Sequence, residues 1–148
     1  MHGALGGLAS TFPGVARSLG ASTVVGTVRP TSLPSAVASG LPYDQVIASD
    51  EFPDALIDER FGVVIDPVGG DLRTASLDVM APLGRLLAVG NANGDREHSV
   101  ETNRLWISDL AILGFSVGSY LPTHPELARP AAEGALKAIS AGLVNLHT

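Results

Sequence analysis

Residues 62–90 read GVVIDPVGGDLRTASLDVMAPLGRLLAVG. The β-branched run over 62–66 has the length and composition of a buried strand. Residues 72–81 carry apolar side chains at helical spacing, and 84–90 form a second strand pattern. Strand, helix and strand within about thirty residues make a βαβ unit, which forces its two strands parallel. Parallel strands need cover on both faces, so the flanking sequence must supply more strands and helices.

Working outward, it does. Toward the N-terminus lie strand patterns over 22–28 (STVVGTV) and 45–48, with helical patterns over 7–19, 32–39 and 52–59. In the first helix Leu8, Phe12, Val15, Ala16 and Leu19 are spaced to line one face, Pro13 delays or bends its start, and Gly20 ends it. Pro34 interrupts the second. Toward the C-terminus come a helix over 103–113, a strand over 114–117 and an Ala-rich helix over 125–141. The fold class is therefore α/β: an open, doubly wound parallel sheet with helices on both faces.

The totals agree. The 148 residues suit one domain, 45% hydrophobic and 16% charged. A net charge of −6 disfavours nucleic acid or an anionic membrane as the main partner. With no cysteine, disulfides, thiolate zinc sites and cysteine nucleophiles are excluded. No apolar run is long enough for a membrane span and the start has no basic signal region, so a cytoplasmic setting is expected.

In such sheets ligands bind beyond the carboxyl ends of the strands. The sequences placed there are GALGG, TVRPT, ASDEF, DPVGGD and GNANG. The first fits a dinucleotide turn laid on Ala4-Leu5-Gly6-Gly7-Leu8-Ala9, with Gly6 where the backbone meets pyrophosphate and small residues for the bend and the helix packing. About twenty residues on, where an acid would select NAD through the ribose 2′-hydroxyl, the chain places Arg29. A guanidinium matches a 2′-phosphate, with Thr27, Thr31 and Ser32 as hydroxyl donors, so NADP(H) is preferred over NAD(H).

HGALGGLAS, VVGTVRP, FGVVIDPVGG and APLGRLLAVGNANG, in this order, resemble the medium-chain dehydrogenase/reductase superfamily, most closely its zinc-independent quinone oxidoreductases and enoyl reductases. The resemblance covers nearly the whole chain but only the cofactor-binding, Rossmann-like half of such proteins. It implies hydride transfer from NADPH to an electron-poor quinone or enone, with no metal. By it, Gly6, Gly7 and Leu8 face the pyrophosphate, Thr27 and Arg29 the adenosine ribose, and Val68 and Gly69 the middle of the cofactor. Gly90 and Asn91 flank the nicotinamide side, with Phe115 and Val117 close to the ring. No catalytic proton donor is identified. The sequence departs from the family pattern at Ala9, at Pro30 and Pro34, and at Pro13.

Competing signals are weaker. GFSVG (114–118) matches a hydrolase nucleophile elbow, but Ser116 falls inside the expected strand with no helix after it, and only Glu133 and His147 remain to complete a triad. His2, His98, His124 and His147 have no metal-ligand spacing and read as surface or loop residues. Asp50, Glu51, Asp54, Asp58 and Glu59 read as a solvated helix face. Asp66 reads as a polar anchor or turn former. The edge strand between Leu113 and Gly118 suits pairing with a second copy, either as a homodimer contact or as a non-catalytic module. A methyltransferase-type nucleotide site remains compatible with the fold. Finally, the strand before GALGG should be the central one, of which only Met1 and His2 stand in this chain. The expectation is a fragment of a longer two-domain oxidoreductase.

Overall fold

The computed structural model describes residues 1–144. Five parallel strands form two ladders, β2 (Gln45–Ala48) on β1 (Val25–Val28), and β3 (Phe61–Asp66), β4 (Met80–Ala88) and β5 (Ala111–Gly114) side by side. The first residues join them. Met1 accepts from the Thr27 amide and Ala4 donates to Thr27 O, both at 2.9 Å, while His2 donates to Ile65 O at 3.1 Å. His2 thus bridges β1 in parallel and pairs β3 on its other side. With this short segment counted as the first strand, the spatial order becomes 3-2-1-4-5-6, that of dinucleotide-binding domains. The order in which strands are added reverses between the first segment and β3, and in such sheets the ligand crevice lies at that point, beside Gly3.

Three apolar clusters hold the layers. Val25, Ile47, Leu56 and Val79 fill the space under β1 and β2, with Phe52 and Phe61 against them. Val64, Leu77, Met80 and Leu86 form the core under β3 and β4. Ala4, Val28 and Ala36 pack the first turn against α2 (Leu33–Ala38). Gly26 is required there: a Cβ on it would lie 2.7 Å from that of Ala4.

Several elements differ from their sequence patterns. The first helix begins as a 3-10 turn at Ala9–Thr11 and becomes α1 only at Phe12–Ser18, with Pro13 in its first turn. That start turns Ala9, Ser10 and Pro13 inward, so Leu8 and Leu19 are exposed instead of lining the buried face. The helix expected over 52–59 is a single 3-10 turn, Asp54–Leu56, because Pro53 precedes it and too few residues remain to propagate a helix. The helix over 72–81 divides into α3 (Asp71–Ala75) and a 3-10 turn (Ser76–Val79), and Met80 already belongs to β4. Likewise α4 (Thr102–Ile107) ends early, and Ala111–Gly114 is strand. Here burial overrode periodicity, since Met80 and Ile112 pack in the sheet core. Residues 114–117, expected as a strand, instead leave β5 and enter α5 (Val117–Thr123). The closing helix is α6 (Ala128–Ser140), preceded by a 3-10 turn.

Candidate functional site: the carboxyl edge of the sheet

The loop after the first segment bends at Gly3, whose φ of +66° an L side chain resists, and the Gly6 amide closes the turn on Gly3 O at 2.7 Å. Gly6, Gly7 and Leu8 stand exposed. A Cβ on Gly7 would meet nothing within 4 Å, and the Gly7 and Leu8 amides have no backbone acceptor among the described residues. Open successive amides on a glycine turn form an anion-binding nest, which fits a pyrophosphate.

The loops after β3 and β4 interlock beside it. Asp66 is fully buried, and its Oδ1 accepts from the Val68 and Gly69 amides, each at 2.8 Å. Its Oδ2 accepts from Arg73 Nε at 2.6 Å, and Arg73 Nη2 reaches on to Gly90 O at 2.8 Å. One guanidinium therefore ties the two loops together. The Ala92 amide donates to Pro67 O at 3.0 Å and the Asn93 amide to Val68 O at 2.9 Å. Gly69 and Gly70 both have positive φ, and a Cβ on either would collide with Asn91 or Asn93 respectively. A Cβ on Gly90 would lie 2.6 Å from Pro67 O. The glycines of DPVGG and of Gly90 are thus demanded by loop packing, and Val68 stands half-buried against the first turn, 3.5 Å from where a Cβ on Gly3 would be.

At the end of β1, Thr27 is 3% exposed and its hydroxyl bonds His2 Nδ1 at 2.9 Å. Arg29, next along, is exposed and forms none of the salt bridges found among the described residues. No acid stands in its loop (Arg29, Pro30, Thr31, Ser32). At the other end, a hollow of about 550 Å³ is walled by Arg73, Gly90, Asn91, Phe115 and Ser116. Phe115 and Val117 are exposed there, with Phe115 tilted against Tyr120 at 5.5 Å. Asn91 Nδ2 donates to Asp95 O at 2.9 Å, which folds its loop back. Most residues singled out from the sequence lie along this edge, whereas the Thr27 hydroxyl, expected at a ribose, is buried on His2 instead; Arg73, in an unremarkable helical pattern, was not singled out.

The serine motif has a geometry different from the one expected. A strand precedes it and a helix follows, with Ser116 at the N-cap of α5. Its backbone is ordinary extended conformation (φ −128°), without the strained turn an elbow needs, and among the described residues its hydroxyl accepts a hydrogen bond from Ser119 Oγ alone, at 3.4 Å. Glu133 pairs with Arg129, and His147 lies outside the described residues.

Two histidines are not surface residues. His98 is largely buried, with Nε2 on Thr74 Oγ1 at 2.5 Å. His2 is 2% exposed and joins three elements: Nδ1 meets Thr27 Oγ1, Nε2 meets Ser76 Oγ at 2.7 Å, and the ring edges Phe52 at 5.0 Å. Ser76 Oγ donates to Leu72 O at 2.6 Å, so it accepts from Nε2–H, and Nδ1 accepts from Thr27. Burial, followed by the neighbouring Met1 ammonium, lowers the His2 pKa to about 4 against an opposing pull from Asp66. Burial likewise lowers the Met1 amino group to about 6. The Ser76–His2 pair is sealed from solvent and serves the core; it is no nucleophile and base. Among the described residues no group of His, Asp and Glu side chains could hold a metal ion, and no helix is long and apolar enough to cross a membrane.

A family model for zinc-binding dehydrogenases matches residues 7–133. Quinone oxidoreductase-like protein 2 of Rattus norvegicus is 30% identical over 110 residues, covering 74% of this chain and 31% of that protein. Among solved structures, the Escherichia coli quinone oxidoreductase complexed with NADPH superposes with a TM-score of 0.76 at 27% identity, over 99% of this chain and 46% of that one. The nucleotide-binding subdomain of the enoylreductase domain of PpsC from Mycobacterium tuberculosis gives 0.79 at 19% identity, over 99% and 83%. The chain spans about a third of the length of the rat relative. The sheet order, the glycine turn and the family match agree: this chain belongs to the zinc-binding dehydrogenase family, as a quinone oxidoreductase-like nucleotide-binding domain of the medium-chain dehydrogenase/reductase superfamily.

Proposed function

We propose that the domain binds NADP(H) along the carboxyl edge of its sheet and serves a cytoplasmic, zinc-independent quinone or enone reductase. The observation that carries this reading is the amide pair at Gly7 and Leu8, open among the described residues, one strand away from Arg29, which forms no salt bridge among them and stands in a loop free of acids. The amides suit the pyrophosphate and Arg29 the 2′-phosphate. Thr27 supports the same site from behind, because its buried hydroxyl and backbone hold the first turn in place. The interlocked Val68, Gly69, Gly90 and Asn91 form the floor toward the nicotinamide, and Phe115 and Val117 offer an apolar wall there. When bound, the cofactor supplies the hydride; the chain's own residues bind, orient and shield it. The resemblance assigns most of the acceptor pocket to a further catalytic domain, so the isolated chain should bind cofactor but turn over poorly. The exposed β5 edge, with Leu113 and Phe115 about half exposed, suits a homodimer contact.

Side-by-side titration with NADPH, NADH and S-adenosylmethionine, read by nicotinamide fluorescence and calorimetry, tests the reading. NADPH should bind at least about tenfold more tightly than NADH, and Arg29→Ala should remove most of that difference while sparing NADH. Equal affinity for both nucleotides overturns the NADP preference. Binding of S-adenosylmethionine alone overturns the whole assignment.

A further inference from the structure

The loop after β4 carries two asparagines in GNANG, and they are held differently. Asn91 Nδ2 donates to Asp95 O at 2.9 Å, and the next residue, Ala92, has a side chain. Asn93 is followed by Gly94, and this is the only Asn-Gly step among the four asparagines of the chain. The Asn93 side-chain nitrogen donates to nothing among the described residues, and its Oδ1 accepts from the Asp95 amide at 3.1 Å. Asn93 and Gly94 are both exposed, and a Cβ on Gly94 would meet nothing within 4 Å.

Asparagine is thermolabile because the backbone nitrogen that follows it can attack its side-chain carbonyl. A Cβ on the following residue hinders that attack, and Gly94 has none. In the closed loop the Gly94 amide donates to Asn91 O at 3.0 Å, so attack requires this turn to open. The bonds that keep it shut, Gly94 to Asn91 and Asp95 to Asn93, join exposed residues, and water replaces such bonds readily.

We propose that Asn93-Gly94 is a self-modification site, at which Asn93 converts to aspartate and isoaspartate and the cofactor rim loosens. The Gly94 nitrogen bonds to Asn93 Cγ, the Cγ–Nδ2 bond breaks, and the amide group leaves as ammonia with the Gly94 amide proton. One water then opens the five-membered imide. Opening at Cγ gives aspartate; opening at the backbone carbonyl gives isoaspartate, whose main chain runs through Cγ. No electrons are exchanged, so water is the sole co-reactant.

The position magnifies the change. The Asn93 amide donates to Val68 O at 2.9 Å, and its side-chain nitrogen occupies the place a Cβ on Gly70 would take. Isoaspartate inserts a methylene between that amide and Gly94, so the loop no longer fits over DPVGG. Either product also adds a carboxylate to the rim, which repels an anionic cofactor. This effect on the cofactor, unlike the conversion itself, rests on the NADP(H) reading.

The test stores the whole chain in mildly alkaline buffer at physiological temperature and samples it over days. Each conversion replaces NH2 by OH, so the intact mass should rise by about 1 Da. Peptide mapping should place the change at Asn93, and an isoaspartate-specific methyltransferase, used as reagent, should label the same peptide. Asn91, Asn103 and Asn145 are each followed by a residue with a side chain and should stay unchanged. Asn93→Gln, which would have to close a six-membered ring, should stop the mass gain. The converted chain should bind NADPH about fivefold more weakly, the contribution of one backbone hydrogen bond, and should melt at a lower temperature. No conversion at Asn93, or conversion spread evenly over the four asparagines, overturns the site. A converted chain that binds and melts like the fresh one overturns the loosening. If the fresh chain binds no NADPH, the cofactor reading fails, while mass, mapping and melting still decide the modification.

Discussion

Arg73 is the residue whose loss should be felt furthest. Asp66 is fully buried, and two amides satisfy Oδ1 while Arg73 alone supplies the counter-charge at Oδ2. Arg73→Met removes the guanidinium and leaves a buried carboxylate half-satisfied, a change that costs about 3–5 kcal/mol. For a domain of this length that corresponds to a melting temperature lower by about 10–15 °C. Asp66→Asn added to Arg73→Met should recover part of the loss. An amide oxygen still accepts from Val68 and Gly69, and no charge is left stranded. The double variant is therefore expected to be more stable than Arg73→Met alone, by about 2 kcal/mol in a double-mutant cycle. Urea unfolding followed by circular dichroism measures all four species. A cost below about 1 kcal/mol for Arg73→Met, or a double variant no better than the single, would refute the clamp. NADPH affinity should fall with Arg73→Met even at temperatures where the variant is fully folded, because Val68, Gly69 and Gly90 lose their common tie. Arg73→Lys should fall between, since an ammonium cannot span Asp66 and Gly90 as a fork does.

Acid should weaken the fold through His2. Its pKa falls from about 6.5 when unfolded to about 4 in the core, so the unfolded chain binds a proton that the native one refuses. The stability due to neutral His2 is complete above about pH 6.5 and is lost as the pH drops toward 4, by about 3 kcal/mol in all. Unfolding midpoints between pH 7.5 and 4.5 should show this slope, and His2→Asn should flatten it; an unchanged slope in the variant assigns the effect elsewhere. Leu83 holds a φ of +63° in the loop-like bulge of β4 and is 78% exposed, so it is strained without being packed. Leu83→Gly should raise stability by about 0.5–1 kcal/mol, measured by thermal unfolding, whereas a loss would show that the backbone there relaxes without cost.

Local pattern was enough for the βαβ rhythm, for β2 and β3 close to their observed bounds, and for the loops that end on the rim. Each depends on short-range chemistry: β-branched runs extend, and glycine and proline punctuate. Pattern failed where the same apolar residues serve either period. Residues 72–81 and 103–113 look helical, yet Met80 and Ile112 are claimed by the sheet, because strand pairing buries them and a longer helix would not. GFSVG was misplaced for the same reason: with the strand beginning three residues earlier, Ser116 becomes a helix cap.

The residue types at the strand ends were legible because a glycine turn and an arginine in an acid-free loop stand out in any sequence. Their joint arrangement was not. That Asp66, Arg73 and Gly90 form one clamp, or that His2 ties the first segment to Thr27 and Ser76, depends on contacts between residues 7 to 74 positions apart. Sequence by itself determined the alternation of elements and the chemistry available at each strand end. Only the tertiary structure decided which of those groups meet, because pairing between distant strands is set by burial and backbone hydrogen bonding across the sheet.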